Sequence, residues 1–476
     1  MQAETAADLS AAETEFAFGL AAFATALTCD ALPESVVAAV KTNVFDTLAC
    51  AVAGSSAPGV GEALELGREW SGTPQATVIA FGDRLPAHHA AWINGTMAHA
   101  RDYDDTHDAA VLHAGVSVVP AALAAAEMAG PASGADFIAA VAAGLETVCR
   151  LGLATEVGII ESGYMYTSLF GHFGATVAAG RVLNLDRQQM IDALGIAYSQ
   201  VAGNHQVTRD AALTKRMQPG FAAKAALVST QLARKGVRGV QHTFDGADGF
   251  FRVYLHDRCD TARLRAGLGR DFEFLDLSYK PYPCCRFDHS AIDAARAIAA
   301  REDFRPGDIR RVEVAMTRQC YEAVCTPVAV RKAPKTIVEA QFSIPFTVAA
   351  ALIDGAIVLS HMTEEGIARR DILDLTARVD GVVSPEIERD WGRNISPAAL
   401  KVELTDGRVL EHRVDHPSGS VQAPMTVADF ERKMADCLSV CATELPEDAA
   451  SRLRAAVDGS ETAADAGAVL AGLVPA

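Results

Sequence analysis

The chain has 476 residues, a formal net charge of -18 and half of its residues apolar. That length exceeds an ordinary single domain and allows two or three, each with its own core. The charge argues against a nucleic-acid or anionic-membrane partner, because no basic run offsets it, and the low charged fraction with few aromatics indicates ordered, Ala-lined helices and not disorder.

The ten cysteines, at 29, 50, 149, 259, 284, 285, 320, 325, 437 and 441, are too sparse for a disulfide scaffold and lack the paired spacing of a zinc site. They read as reduced thiols of a cytoplasmic protein. The apolar stretch Phe16 to Cys29 follows Glu4, Asp8, Glu13 and Glu15, where a signal peptide needs positive charge, so it reads as a first buried helix. No apolar run reaches the roughly 18 residues of a membrane span.

Residues 11–270 carry Ala, Leu and Val at helical spacing, broken at Gly54 to Gly61, Gly130 to Gly134 and Leu185 to Arg187. Without a repeat period they predict a tightly packed helical bundle and not a solenoid. Residues 271–416 change character. Arg310 to Met316, Ala399 to Thr405 and Val409 to Val414 alternate as half-buried strands, the last two joined by a hairpin signal at Thr405 to Arg408. With helices at Asp288 to Glu302 and Ile337 to Asp354 this section predicts a smaller α+β domain. In residues 417–476 helices return, at Val427 to Glu444 and Ala449 to Val457, and are expected to rejoin the first domain.

Three polar motifs stand out. From His99 to His113 inclusive lie four aspartates and three histidines, followed by the apolar helix Val116 to Ala129. A charge cluster is more often a solvated loop, but apolar helices flank this one on both sides, which favours a cleft where carboxylates orient an imidazole for proton transfer. Asp and His also ligate metals, yet no His-Glu-x-x-His or comparable spacing is present. The second motif, Thr214 to Lys224, sets Lys215 at a helix entry, where it can hold a carboxylate or be an ordinary surface lysine. In the third, Lys280 to His289, Pro281 and Pro283 stiffen a turn that starts the smaller domain; Cys284 and Cys285 read as buried structural thiols. No dinucleotide fingerprint, P-loop or Gly-x-Ser-x-Gly elbow occurs, which disfavours a dehydrogenase, an NTPase or a serine hydrolase.

At Asp46 to Gly54, Asn94-Gly95, Asp102 to Thr106 with His113, Lys215 to Gly220 and Lys280 to Cys285, the sequence resembles the MmgE/PrpD family of 2-methylcitrate dehydratases, cis-aconitate decarboxylases and iminodisuccinate epimerases. The resemblance implies a mainly α fold: a large all-helical domain built from both chain ends, with a smaller α+β lid inserted between them. It also implies a homodimer and catalysis with neither metal nor cofactor.

Carried over position by position, Asp102 and Thr106 match the family's acidic motif, His113 its following histidine, and Lys215 and Lys280 its two active-site lysines; on that basis His113 is expected to be the acid/base, Asp102 its orienter, and the two lysines the carboxylate clamps. Thr106, Asp105, Tyr164, Arg286 and Tyr321 are the expected substrate contacts. One departure bears on the reaction. Met165 stands where members acting on citrate-like acids tend to carry a second histidine, so Tyr166 or Tyr164 is the expected second proton carrier, and His172 a packed residue. The implied activity is a lyase removing water or carbon dioxide from a small di- or tricarboxylic acid. The rivals are an epimerase of an imino- or amino-linked dicarboxylate and an inactive polycarboxylate-binding protein.

Overall fold

The structure is a computed structural model and describes residues 15–392, 395 and 397–475. The expected start of the helical domain at residue 11 and the acidic residues Glu4, Asp8 and Glu13 lie outside the described residues. Among the described residues the chain clusters into two compact units, one from residues 15–100, 110–276 and 437–475, the other from 101–109 and 277–436. The sequence boundaries at 271 and 417 thus give way to 277 and 437, and the short piece Arg101–Ala109 goes with the second unit.

The first unit is helical. Its principal helices are α1 (Glu34–Gly54), α2 (Ala87–His99), α3 (Gly115–Ala129), α4 (Gly134–Ala154), α5 (Tyr166–Val182), the single turn α6 (Gln206–Arg209) and α7 (Thr214–Arg234). Nearly every residue of α2 and α5 is buried, as expected of helices that are apolar on all sides. By length and mean hydropathy α1 and α4 would suffice to cross a membrane, which corrects the expectation that no segment would. Charged residues within them, Lys41 and Asp46 in α1 and Glu146 and Arg150 in α4, hide this from a search for unbroken runs. Their apolar windows are 72% and 94% buried in the fold, which is how core helices look.

Small residues set the helix spacing. A Cβ on Gly220 of α7 would stand 2.3 Å from the Trp92 carbonyl oxygen of α2, and one on Gly95 would stand 2.9 Å from Gly220 Cα. The backbones therefore cross in contact at these two glycines. Asn94 beside them is a structural residue: it accepts from Ile79 N–H at 3.0 Å and donates to the Thr77 carbonyl at 2.9 Å. We expect Gly220→Ala to force α2 and α7 apart at a cost of about 1–3 kcal/mol or more. Gly61→Ala, on an exposed helical turn with nothing within 4 Å, should be neutral or gain up to about 1 kcal/mol. Thermal melting of the two variants checks this; equal melting points would contradict the close crossing.

The second unit is an α+β layer. Strands β1 (Thr106–His107) and β2 (Leu277–Ser278) form a small antiparallel pair, with Thr106 opposite Ser278. A four-stranded sheet has the order β4-β3-β5-β6, where β3 is Ile309–Met316, β4 Val379–Val383, β5 Ala398–Leu404 and β6 Val409–Val414. β5 and β6 pair antiparallel across the turn that Gly407 makes with φ +90°, as the Thr405 to Arg408 signal predicts. Strand β4 was not expected: it runs parallel to β3, with Val312 opposite Val379.

The inward residues Val312, Val314, Val379, Leu400 and Val402 share one core with Ala291, Ile292 and Ala295 of α8 (His289–Ala299) and Phe346 and Ala350 of α9 (Ile344–Asp354). The single helix expected over Ile337 to Asp354 is two, because Ser343 caps α9 by accepting from Phe346 N–H and Pro345 occupies its first turn. The later helix α10 spans Val427–Ser439, ending earlier than the sequence pattern suggests.

Candidate active site

The predicted site residues fall into two clusters, one in each unit. In the first unit the Gly95–Gly220 crossing lies about one turn before the end of α2 and nearly two turns after the start of α7. It brings His99, the last residue of α2, to Lys215, with Lys215 Nζ 3.3 Å from His99 Nε2. An ammonium only donates, so Nε2 of His99 accepts, and a neutral His99 carries its proton on Nδ1.

His113 precedes α3. Its backbone N–H donates to Thr167 Oγ in the first turn of α5 at 3.0 Å, and its ring meets His99 edge-on with centroids 4.9 Å apart. Two residues earlier Val111 is held at φ +52°, a left-handed conformation that a β-branched residue adopts only when its surroundings enforce it. That local strain fixes how the chain arrives at His113. His99 is buried while His113 is only partly covered, so His113 is the imidazole open to a solute.

Two other predicted residues of this unit have partners that the sequence did not suggest. The Tyr166 hydroxyl donates to the Val157 carbonyl at 2.6 Å, and its ring packs on Phe170. Tyr164 is half-buried against Tyr254, centroids 5.3 Å apart. His172 is a packed residue, as expected: its Nδ1 donates to the Ser168 carbonyl at 2.7 Å, and burial lowers its pKa to about 4.

In the second unit the acidic segment is held along its length. Gln341 donates to the Arg101 carbonyl at 2.7 Å, and Lys433 of α10 to the Tyr103 carbonyl at 2.7 Å, its ammonium also lying over the Tyr103 ring. The Tyr103 hydroxyl donates to the Pro281 carbonyl at 3.2 Å. At the centre, Lys280 Nζ donates to the Asp102 backbone carbonyl at 3.0 Å and to its carboxylate at 2.5 Å, with the lysine side chain fully buried.

Burial acts to lower the Lys280 pKa, but the carboxylates of Asp102 and Asp104 outweigh it and hold the ammonium above its ordinary range. Asp102 itself sits at φ +53°, a conformation Asp tolerates better than most residues, and Lys280 bridges its carbonyl and carboxylate. Asp102 is thus paired with Lys280.

Arg286, an expected substrate contact, directs its guanidinium elsewhere. Two nitrogens bind the Asp108 carboxylate at 3.1 Å each, and a third donates to the Ser418 carbonyl at 2.8 Å. Ser278 Oγ also donates to Asp108, at 2.7 Å. Asp105 and Thr106 are buried, Thr106 in the β1–β2 pairing. Tyr321 lies half-buried on the short helix Arg318–Val324, packed against β4 at Gly381. The Cys284 and Cys285 thiols stay protonated: desolvation, then the Asp288 charge, raises Cys284 well above its ordinary value and Cys285 to about 12.

His99, Gln341 and Lys433 are the positioning residues that sequence reasoning missed. His99 lay inside the first motif, but a histidine closing an apolar helix reads as packing. Nothing marks Gln341 or Lys433 in the sequence. A metal ion ligated through His99 Nε2 would meet the Lys215 ammonium, which already lies 3.3 Å from that nitrogen, and the two cations would repel each other.

Residues 19–261 match the MmgE/PrpD N-terminal domain model and residues 282–459 the MmgE/PrpD C-terminal domain model. The chain is similar to a cis-aconitate decarboxylase of Aspergillus terreus, 27% identical over 85% of each chain. It is 28% identical to a cis-aconitate decarboxylase of Homo sapiens over 84% of this chain and 83% of that one. Against a cis-aconitate decarboxylase-like protein, oryM, of Aspergillus oryzae, the identity is 26% over 92% of this chain and 93% of that one.

Proposed function

Because the chain belongs to the MmgE/PrpD family, we propose that it is a carboxy-lyase that removes carbon dioxide from a small unsaturated tricarboxylate of the cis-aconitate type without using a metal. The observation that carries this reading is the convergence of His99, His113 and Lys215 in one unit: a cation for a carboxylate next to a solute-accessible imidazole. The relatives' names favour loss of carbon dioxide over loss of water or epimerisation.

The chemistry asks little more of the protein. In cis-aconitate the CH2–COO⁻ bond breaks, its electron pair forms a new C=C, and the old C=C pair moves to the CH carbon, which lies beside a carboxylate. That carbon takes one proton. The step therefore needs a positive charge at the carboxylate where the electrons accumulate, and one proton donor in reach of the carbon.

Lys215 supplies the charge. His113 supplies the proton from its imidazolium form and recovers it from solvent. His99, in contact with both, fixes the Lys215 ammonium and the His113 ring. In the second unit we assign Lys280, which is fully buried, to holding the left-handed turn at Asp102 and not to a substrate carboxylate.

The test is to incubate the purified protein with cis-aconitate and follow the mass of the acid and the release of carbon dioxide. The expected result is loss of one carbon dioxide, with one solvent deuterium gained at carbon in heavy water and an unchanged rate after treatment with a chelator. Binding with no turnover would point to an inactive binding protein, deuterium exchange at constant carbon count to an epimerase, and inactivation by the chelator to a metal enzyme. Each of these outcomes overturns the proposal.

A further inference from the structure

The loop leading into α6 is clamped from two sides. Ser168 Oγ, in the first turn of α5, lies 2.9 Å from the Ala202 carbonyl it donates to. Gln218 of α7 accepts from Asn204 N–H at 2.8 Å and returns a bond from Nε2 to the Asn204 carbonyl at 3.1 Å. Gly203 holds φ +141°, and a Cβ there would stand 2.8 Å from the Ser168 side chain, so the close approach requires glycine. The His205 N–H then donates to the Gly163 carbonyl at 2.8 Å, at the head of the Gly163 to Tyr166 stretch. His205 is thereby fixed against the starts of the two helices that carry Thr167 and Lys215.

Its side chain gains nothing for stability from this placement. Nδ1 of His205 is shut away from solvent without a hydrogen-bond partner among the described residues, and Thr208 Oγ on the same turn is in the same condition. Buried polar atoms left unpaired weaken a fold, and sequences tolerate them chiefly at functional sites. Since the residue is partly exposed while Nδ1 is covered, Nε2 is the ring nitrogen open to a solute. The charged groups acting on the ring are Arg209 from its own turn and Lys215 from α7, both positive; Asn204 and Gln218, which hold the loop, are neutral.

We propose that His205 is a further substrate-binding residue, whose Nε2 holds a second carboxylate of the substrate beside the one held by Lys215. The inference rests on the carboxy-lyase reading. Without substrate the ring is kept neutral by burial and then by Arg209 and Lys215, which lower its pKa. A polycarboxylate brings negative charge that offsets those cations, so His205 takes a proton from solvent as the substrate binds, and Nε2–H donates to the carboxylate.

Calorimetric titration with cis-aconitate near pH 7, in two buffers of different ionisation enthalpy, tests this. The wild type should take up more protons than His205→Gln, which keeps a donor near the Nε2 position but does not titrate. His205→Ala should lose the extra uptake and bind about tenfold or more weakly, as expected for a lost charged hydrogen bond. The glutamine variant should recover much of the affinity, and both should melt with the wild type. Should His205→Ala not fold, the proton count of the glutamine variant decides. Equal affinity and proton uptake in wild type and variants overturn this inference alone. Failure of the wild type to bind cis-aconitate overturns it together with the proposed function.

Discussion

Lys280→Met will destabilise the second unit by about 3–5 kcal/mol, and adding Asp102→Asn will return most of that loss. The lysine side chain is fully buried and its ammonium reaches both the Asp102 carbonyl and carboxylate. Removing only the cation leaves the Asp102 charge in a poorly solvated place without the Lys280 ammonium beside it, and breaking a buried pair from one side costs about that amount. Replacing both partners removes the uncompensated charge, so the double variant should melt much closer to the wild type. The position of the turn would then rest on Gln341 and Lys433, which bind the neighbouring carbonyls of Arg101 and Tyr103. Chemical denaturation of the four proteins of this cycle reads the coupling. A single Lys280→Met variant as stable as the wild type would show that the pair is not what holds the acidic segment.

The two partners of this pair are 178 positions apart in the chain, and that separation explains what the sequence did and did not reveal. Residue types and local pattern singled out the polar segments that hold Asp102, His113 and Lys280, whereas Lys215 by itself reads as an ordinary surface lysine and became a candidate through the family resemblance. Which of them touch is decided by the fold. The contact between His99 and Lys215 depends on two glycines, one in α2 and one in α7, whose meaning as a backbone crossing has no local signature.

The same limit applies to secondary structure. Strands β3, β5 and β6 alternate cleanly and were legible, whereas β4, Val-Asp-Gly-Val-Val, is diluted by Asp380 and Gly381 and acquires its identity only by pairing with β3. The break before α9 was written in the sequence as Ser343-Ile-Pro345, a cap followed by a helix-starting proline, but strong apolar periodicity on both sides masked it. Tyr166 illustrates a third kind of gap. The residue was found, but nothing local indicates that its hydroxyl donates to the Val157 carbonyl nine residues earlier.

The larger effect on activity is expected at His113. His113→Ala should lower the rate of carbon dioxide release by about 10²–10⁴, the range for removing a positioned acid or base, with little change in melting temperature. The tie to α5 is made by the backbone N–H, which alanine keeps, and the ring is partly open to solvent. His99 responds differently, because its ring is buried and its Nε2 receives Lys215. His99→Ala should lose stability as well as rate, and His99→Gln, which retains an acceptor for the ammonium, should recover part of both. This contrast separates the proton carrier from the residue that positions it. If His113→Ala remains fully active while His99→Ala is inactive at unchanged stability, the roles of the two imidazoles are exchanged, and the proton reaches the substrate from the end of α2.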